Sequence, residues 1–231
     1  MKNSLAVIVP FFNEEKTLEL SLRRLLKVDV VKQIICVNDC SNDKSLEIVE
    51  QIKNEDSRIE IFSNKVNGGK GYAVTSAKKY INTTHVVIHD ADLEYFPEDL
   101  VSMWEKVEEH TDSLILGSRF IGNRSRKNIY KRTFIANKLM SLFFSLINFY
   151  KVSDVATCYK LFSNKFFQSV NLVENGFSIE IELLSKFLKF NRSIIEVPIK
   201  YEGRSYSEGK KIKSKDGILY LINTIKYRFL T

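Results

Sequence analysis

His89-Asp90-Ala91-Asp92-Leu93-Glu94 closes the apolar run Val86-Val87-Ile88 with two carboxylates one residue apart and a third two residues further on. Hard oxygen ligands at the end of a buried strand suit Mg²⁺ or Mn²⁺, ions that commonly complete their shell with substrate phosphates rather than in an all-protein cage. Asp90, Asp92 and Glu94 are therefore the candidate metal ligands. A plainer reading is a polar strand end, because Pro97, Glu98 and Asp99 look like the start of a helix that acidic residues favour.

Three more loops place polar residues after an expected strand or at the opening of a helix. In Pro10 to Glu14, proline fixes the backbone, Phe12 offers a flat face to a nucleotide base and Glu14 an acceptor. The alternative is a helix N-terminus with acids in its first turn. In Asn38 to Asp43, Asp39 can accept from the ring N–H of uracil or guanine, whereas Ser41 and Asp43 are better read as helix caps. In Asn67 to Gly71, glycines let backbone amides approach an anion and Lys70 adds a point charge for a phosphate. Neither Gly-x-x-x-x-Gly-Lys-Ser/Thr nor Gly-x-Gly-x-x-Gly occurs there, which argues against a P-loop ATPase and a typical nicotinamide enzyme. Further along, Arg119 in Gly117-Ser118-Arg119-Phe120 could grip a diphosphate with its bidentate fork. Tyr201 to Lys211, with Arg204 and Lys210, reads as a cationic flap able to close over phosphates; its alternative is a solvated basic loop.

These residues need a scaffold that brings distant loops together, and the first half of the chain supplies the pattern for one. Expected strands at 5–9, 33–37, 59–62, 86–88 and 114–116 alternate with helical periodicity, the mark of βαβ units and an α/β fold with a largely parallel sheet. Asn13 is expected to cap a helix burying Leu18, Leu22, Leu25 and Leu26, and a helix started by Ser41 or Asp43 to bury Leu46, Val49 and Ile52. Strand ends of one parallel sheet point the same way, so their loops converge on a single crevice.

The 231 residues, 44% hydrophobic, are enough for one large domain, and 35 Lys and Arg against 28 Asp and Glu give a formal charge of +7. That surplus points to an anionic partner: nucleic acid, membrane or phosphorylated substrate. Cys36, Cys40 and Cys158 are odd in number and lack zinc-ligand spacing, which suits a reducing cytosol. Neither a signal peptide nor a run of 18 apolar residues is read, so the chain is not expected to span a bilayer by itself. Leu139 to Tyr150 is expected to pack into the core; for Ile212 to Leu230, basic and amphipathic, core packing and membrane contact both stay open.

In order along the chain, VIVPFFNEE, VNDCSND, NGGKG, HDADLE, GSRF, DVATCYKLF, FSIEIELL and YEGRSYSEGKK make it resemble the inverting family 2 glycosyltransferases of GT-A fold, within them the polyprenyl-phosphate sugar synthases. The resemblance runs from Leu5 to about Asp216 and implies a Rossmann-like, mostly parallel central sheet flanked by helices. Residues 1–211 would form the transferase domain and 212–231 a C-terminal amphipathic helix. It further implies that Pro10, Phe12, Glu14 and Asp39 surround the base, that Lys70 lies near the nucleotide, and that Asp90, Asp92 and Glu94 hold the metal and diphosphate. Arg119, Arg204 and Lys210 would gather around donor diphosphate and acceptor phosphate, and Glu180 and Glu182 would be structural or acceptor-side. Phe12 stands where tyrosine is common, Asn38 where aspartate is frequent and Glu94 where glutamine is usual, departures that bear mainly on the donor base.

The expected reaction is an in-line, inverting displacement of a UDP- or GDP-linked hexose by a dolichyl or undecaprenyl phosphate, carried out peripherally on the cytoplasmic face of a membrane. A lipid phosphate is already anionic, so it requires positioning and charge neutralisation more than a general base. Two rivals remain: the same donor chemistry with transfer to a glycan hydroxyl in cell-surface polysaccharide synthesis, and a basic nucleic-acid-binding protein. The latter lacks a helix-turn-helix, zinc or aromatic RNA-binding motif, so nucleic acid is not an expected partner.

Overall fold

The computed structural model describes residues 2–123, 125–127, 130–204 and 214–230, without the side chains of 214–216. Its first strand, β1 (Leu5–Phe11), lies inside the sheet, and its Leu-Ala-Val-Ile-Val run is wholly buried because strands flank it and helices cover its faces. Around it, β2 (Val31–Asn38), β3 (Ile59–Ser63), β4 (His85–Ile88), β5 (Leu114–Ser118), β7 (Lys160–Ser163) and β8 (Ile194–Pro198) complete a seven-stranded sheet ordered β3-β2-β1-β4-β7-β5-β8. Every strand runs parallel except β7, which pairs antiparallel with both β4 and β5. A two-stranded parallel pair, β6 (Arg126–Lys127) with β9 (Tyr201–Glu202), stands apart.

The chain leaves β1 toward β2 and β3 on one side and returns to β4 on the other. The order therefore reverses between β1 and β4, where open α/β sheets leave a crevice beyond their strand ends. Helices α1 (Leu18–Leu25), α2 (Ser45–Lys53), α3 (Lys70–Ser76) and α4 (Asp99–Glu109) make the crossovers. Then come α5 (Lys131–Asn148), α6 (Asn164–Ser169), α7 (Ile179–Phe190) and α8 (Ser214–Phe229). The expected α/β architecture, with a mostly parallel sheet, flanking helices and a C-terminal helix, is present.

Local details depart from the sequence reading. Asn13 takes a left-handed φ of 52°, and α1 begins only at Leu18, so Asn13 is not its cap. Asn13 instead stitches two loops: its N–H donates to Ser41 Oγ at 3.1 Å and its Oδ1 accepts from Asn42 N–H at 2.9 Å. The cap position of α2 is Lys44, with no side-chain cap bond, so neither Ser41 nor Asp43 caps it. Asp43 instead ties the start of the helix to the first loop, accepting Ser45 N–H at 3.0 Å and Glu15 N–H at 3.1 Å. The segment Leu139 to Tyr150 lies mostly in α5, but its core contact is narrow. Ser141, Phe144 and Asn148 are buried, while Leu139, Leu142, Leu146 and Phe149 face solvent. The expectation of core packing thus holds for one helical face only.

Candidate active site

Four strand-end loops, with residues from β9, α7 and α8, enclose one cleft of about 220 Å³. Pro10, Phe12, Glu14, Asp39, Lys70, Asp90, Asp92, Glu94, Arg119 and Arg204 all line it. Ten of the eleven residues singled out in the sequence therefore meet, and Lys210 lies outside the described residues. Glu180 also reaches the cleft, whereas Glu182 is a structural clamp that accepts the N–H groups of Val173 and Glu174 and pairs with Lys186 at 2.7 Å.

The floor is a buried string of alternating charge. Lys70 Nζ lies 2.7 Å from Asp90 and 2.8 Å from Glu180, and Glu180 lies 2.6 Å from the fully buried Lys160. Burial alone would lower the Lys70 pKa, but Asp90 and Glu180 hold it well above the usual value. Asp90 in turn stays ionised despite its burial because the ammonium faces it. Lys70 is thus committed to carboxylates and is a less available phosphate ligand than its loop suggested.

Nor do the glycine-loop amides await an anion. Asp39 accepts the N–H of Gly68 at 3.1 Å and of Gly69 at 2.6 Å, and its Oδ1 also accepts from Asn64 at 2.8 Å. Gly71 N–H donates to Asn175 O at 2.7 Å. Asp39 therefore fastens the third loop to the second, a task that the sequence did not indicate, while still bordering the cleft.

Above the floor, Arg204 spans the opening, with Nη2 3.1 Å from Asp92 and Nη1 3.2 Å from Glu14. Burial, followed by the charges of Asp90 and Glu94, raises the Asp92 pKa to about 7 even with Arg204 beside it. Glu94 differs from the metal-ligand expectation: its Oε2 accepts Tyr201 O–H at 2.5 Å and its Oε1 accepts Arg204 N–H at 2.7 Å. Both its oxygens anchor β9 and the residues after it. Leu93, left-handed at φ 64°, lies between these two acids. Arg119 departs too, because its Nε and Nη2 form the bidentate pair with buried Asp154, at 2.7 and 2.8 Å, rather than facing a diphosphate. Its guanidinium also stacks 4.9 Å from the Tyr201 ring centre, which ties that pair to the strand carrying Arg204's anchor.

Among the described residues, no group of three or more His, Cys, Asp and Glu stands ready as a metal cage. The donor set nevertheless fits a divalent ion that shares its shell with phosphate oxygens. Asp90 and Asp92 are hard carboxylate ligands, Asp92 is short of positive charge, and the Arg204 guanidinium occupies the place where a cation would relieve it.

Tyr201, the first residue of the expected flap, also lines the cleft, as do Tyr220, Phe177 and Ala156, for which the sequence reading gives no role. Phe177 and Ala156 lie in or beside motifs noted above, FSIEIELL and DVATCYKLF, but nothing in the pattern marked them as lining residues. Tyr220 from α8 donates to Phe177 O at 2.8 Å and carries no such sequence signal.

Comparison with known proteins identifies the fold and the family. A glucosyl-3-phosphoglycerate synthase from Mycobacterium tuberculosis, solved with Mn²⁺, UDP-glucose and phosphoglyceric acid, superposes with a TM-score of 0.74 over 98% of this chain and 79% of that one. At 17% identity, the likeness is one of fold. An uncharacterized protein of Methanocaldococcus jannaschii is 27% identical over 89% of this chain and 93% of its own length. An uncharacterized glycosyltransferase of Synechocystis is 34% identical over 46% of this chain, and this chain spans only 36% of that relative's length. The model for Glycosyl transferase family 2 matches residues 6–170, and the chain belongs to that family.

Proposed function

We propose that this chain transfers a hexose from a UDP- or GDP-linked donor to a polyprenyl phosphate, with inversion at the anomeric carbon. The observation that carries this reading is the meeting of Phe12, Glu14, Asp39, Asp90, Asp92 and Arg204 in one cleft at the sheet's switch point. Family membership supports the donor class, and the fold neighbour's Mn²⁺ and UDP-glucose favour a divalent ion and a uridine donor.

In this reading Pro10, Phe12 and Glu14 border the base, with Asp39 both shaping the glycine loop and facing the nucleotide. Asp90 and Asp92 would hold Mg²⁺ or Mn²⁺, which would offset charge developing on the leaving diphosphate. Lys70, itself held by Glu180, keeps Asp90 ionised and fixed in place. Glu94 and Tyr201 hold the backbone of Arg204, and Arg119 with Asp154 braces Tyr201 from behind. Arg204, once released from Asp92, neutralises phosphate charge, and Lys210 is assigned the same task.

Cleft carboxylates bear on the acceptor. Asp90 is paired with Lys70, Glu180 with Lys70 and Lys160, and Glu94 with Tyr201 and a backbone amide. A nucleophile that is already anionic makes no demand on them as bases. The second reading, transfer to a glycan hydroxyl with the same donor chemistry, requires a carboxylate base, and Asp92 is already assigned to the metal.

Incubation with radiolabelled UDP- and GDP-hexoses, Mn²⁺ and either undecaprenyl phosphate or short glycans separates the two. Label moving into the organic-extractable product supports the lipid phosphate, and label confined to water-soluble glycan supports the hydroxyl. Asp92→Asn is expected to abolish transfer with the fold intact, and full turnover by that variant would remove the metal assignment.

A further inference from the structure

Helices α5 and α8 lie against each other, and each turns a row of large apolar side chains away from the core. On α5 the row is Ile135, Leu139, Leu142 and Leu146, continued by Phe149 just past the helix end. Steps of four and three residues keep these side chains on one face. The opposite face carries the buried Ser141, Phe144 and Asn148. On α8 the outward row is Ile218, Ile222, Ile225 and Phe229, opposite the buried Tyr220, Asn223, Thr224 and Tyr227. Leu146 is 63% exposed and Phe149 80%, values that a lone surface side chain reaches freely, whereas two apolar rows on a pair of packed helices are the kind of patch that marks an interaction surface.

We propose that the joined outer faces of α5 and α8 seat the protein on the headgroup boundary of an anionic bilayer. Charge selects that occupant. Helix α5 carries Lys131, Arg132 and Lys138 with neither Asp nor Glu along its length, exposed Lys151 follows it, and the whole chain is +7. A second copy laid on the same face would bring like charges together, whereas anionic headgroups complement them and the acyl boundary takes up the apolar rows. Among the described residues no helix is long and apolar enough to cross a membrane, so the contact is one of lying in the surface.

The position of α8 gives this contact a use. Its buried Tyr220 lines the cleft while Ile218 and Ile222, two positions to either side, face outward, so a single helix separates the cleft from the apolar surface. A lipid phosphate could reach the cleft from a bilayer at that surface with its hydrocarbon chain still embedded. The docking deepens the lipid-phosphate reading, and the two can fail separately because the test below uses no polyprenyl phosphate and measures no transfer.

The full chain is floated with vesicles of phosphatidylcholine alone or of phosphatidylcholine mixed with phosphatidylglycerol. Preferential binding to the anionic vesicles is expected. Leu142→Glu with Leu146→Glu, and separately Ile222→Glu with Ile225→Glu, are each expected to lower the partition coefficient at least about tenfold while the melting temperature stays unchanged. If glutamate lowers the melting temperature, the corresponding serine pairs replace it with the same expectation. Wild-type partitioning by both pairs, or equal binding to neutral and anionic vesicles, overturns the proposal. So does a wild-type dimer in solution that ignores vesicles and becomes monomeric in the Leu142→Glu and Leu146→Glu variant.

Discussion

Arg204→Met isolates what the guanidinium does before any donor arrives. With Nη2 3.1 Å from Asp92 and Nη1 3.2 Å from Glu14, a divalent ion approaching Asp92 meets a cation already in place. Two unit charges about 4 Å apart at an effective dielectric of about 20 interact by about 4 kcal/mol. Reorganisation and the side chain's partial access to water, 14% exposed, reduce the share that opposes metal binding to about 1–2 kcal/mol. Since 1.4 kcal/mol is about a factor of ten, the variant is expected to bind Mn²⁺ roughly 5- to 30-fold more tightly in the absence of nucleotide. Calorimetric titration, checked by the electron paramagnetic resonance signal of free Mn²⁺, measures this directly. Transfer should fall in the same variant, because Arg204 is assigned to the phosphates once they are bound. Unchanged or weaker Mn²⁺ binding would refute the idea that Arg204 stands in for the ion. A second signature accompanies it: Asp92 titrates at about 7, and bound metal requires the carboxylate, so wild-type Mn²⁺ affinity should rise with pH through neutrality and then level off.

Three further outcomes are expected. Asp154→Asn leaves the buried Arg119 guanidinium without its bidentate anion and should cost about 3–5 kcal/mol in urea unfolding; a loss below about 1 kcal/mol would mean that water reaches the pair. Gly71→Ala would place a Cβ 2.0 Å from the Glu174 carbonyl oxygen, a backbone atom that cannot swing aside, and should destabilise by about 1–3 kcal/mol, read as a lower melting temperature. Burial lowers the pKa of His85, whose Nε2 lies 3.0 Å from Thr111 O. The unfolded chain takes up a proton near pH 6.5 that the folded chain resists, so this contribution is complete above about 6.5 and is lost as the pH falls below it. His85→Asn should flatten that slope, and an unaltered slope would assign the acid sensitivity to other groups.

The scaffold was legible wherever strands ended abruptly in polar residues. Val86-Val87-Ile88 followed by Asp90 and Asp92, or Leu5 to Val9 followed by Pro10, changes character within one or two residues, and that change locates a sheet edge. Convergence followed from topology, since parallel strands point their carboxyl ends alike. Pairwise bonding did not follow. Arg119 and Asp154 are 35 residues apart, and nothing in Gly-Ser-Arg-Phe says that the fork turns inward. Asp39 and Glu94 were assigned outward roles because a sequence displays a carboxylate's chemistry and conceals its neighbours. Antiparallel β7 escaped notice because Lys160, buried only through its pairing with Glu180, interrupts the apolar pattern of a central strand. Helix α5 misleads for the converse reason. Its composition is that of a core helix, and only the packing reveals that half of those side chains look out.

Because β7 is the partner of both β4 and β5, the middle of the sheet is joined by a segment translated long after its neighbours. While the chain is still emerging from the ribosome, the outer side of β4 has no companion until Lys160–Ser163 appear, and β5 has nothing to dock beside. An unpaired edge of Val86 and Val87 is a template for foreign strands. Nascent chains halted before β7 should therefore depend on chaperones and precipitate without them, whereas chains extended past Ser163 can seal the gap by themselves.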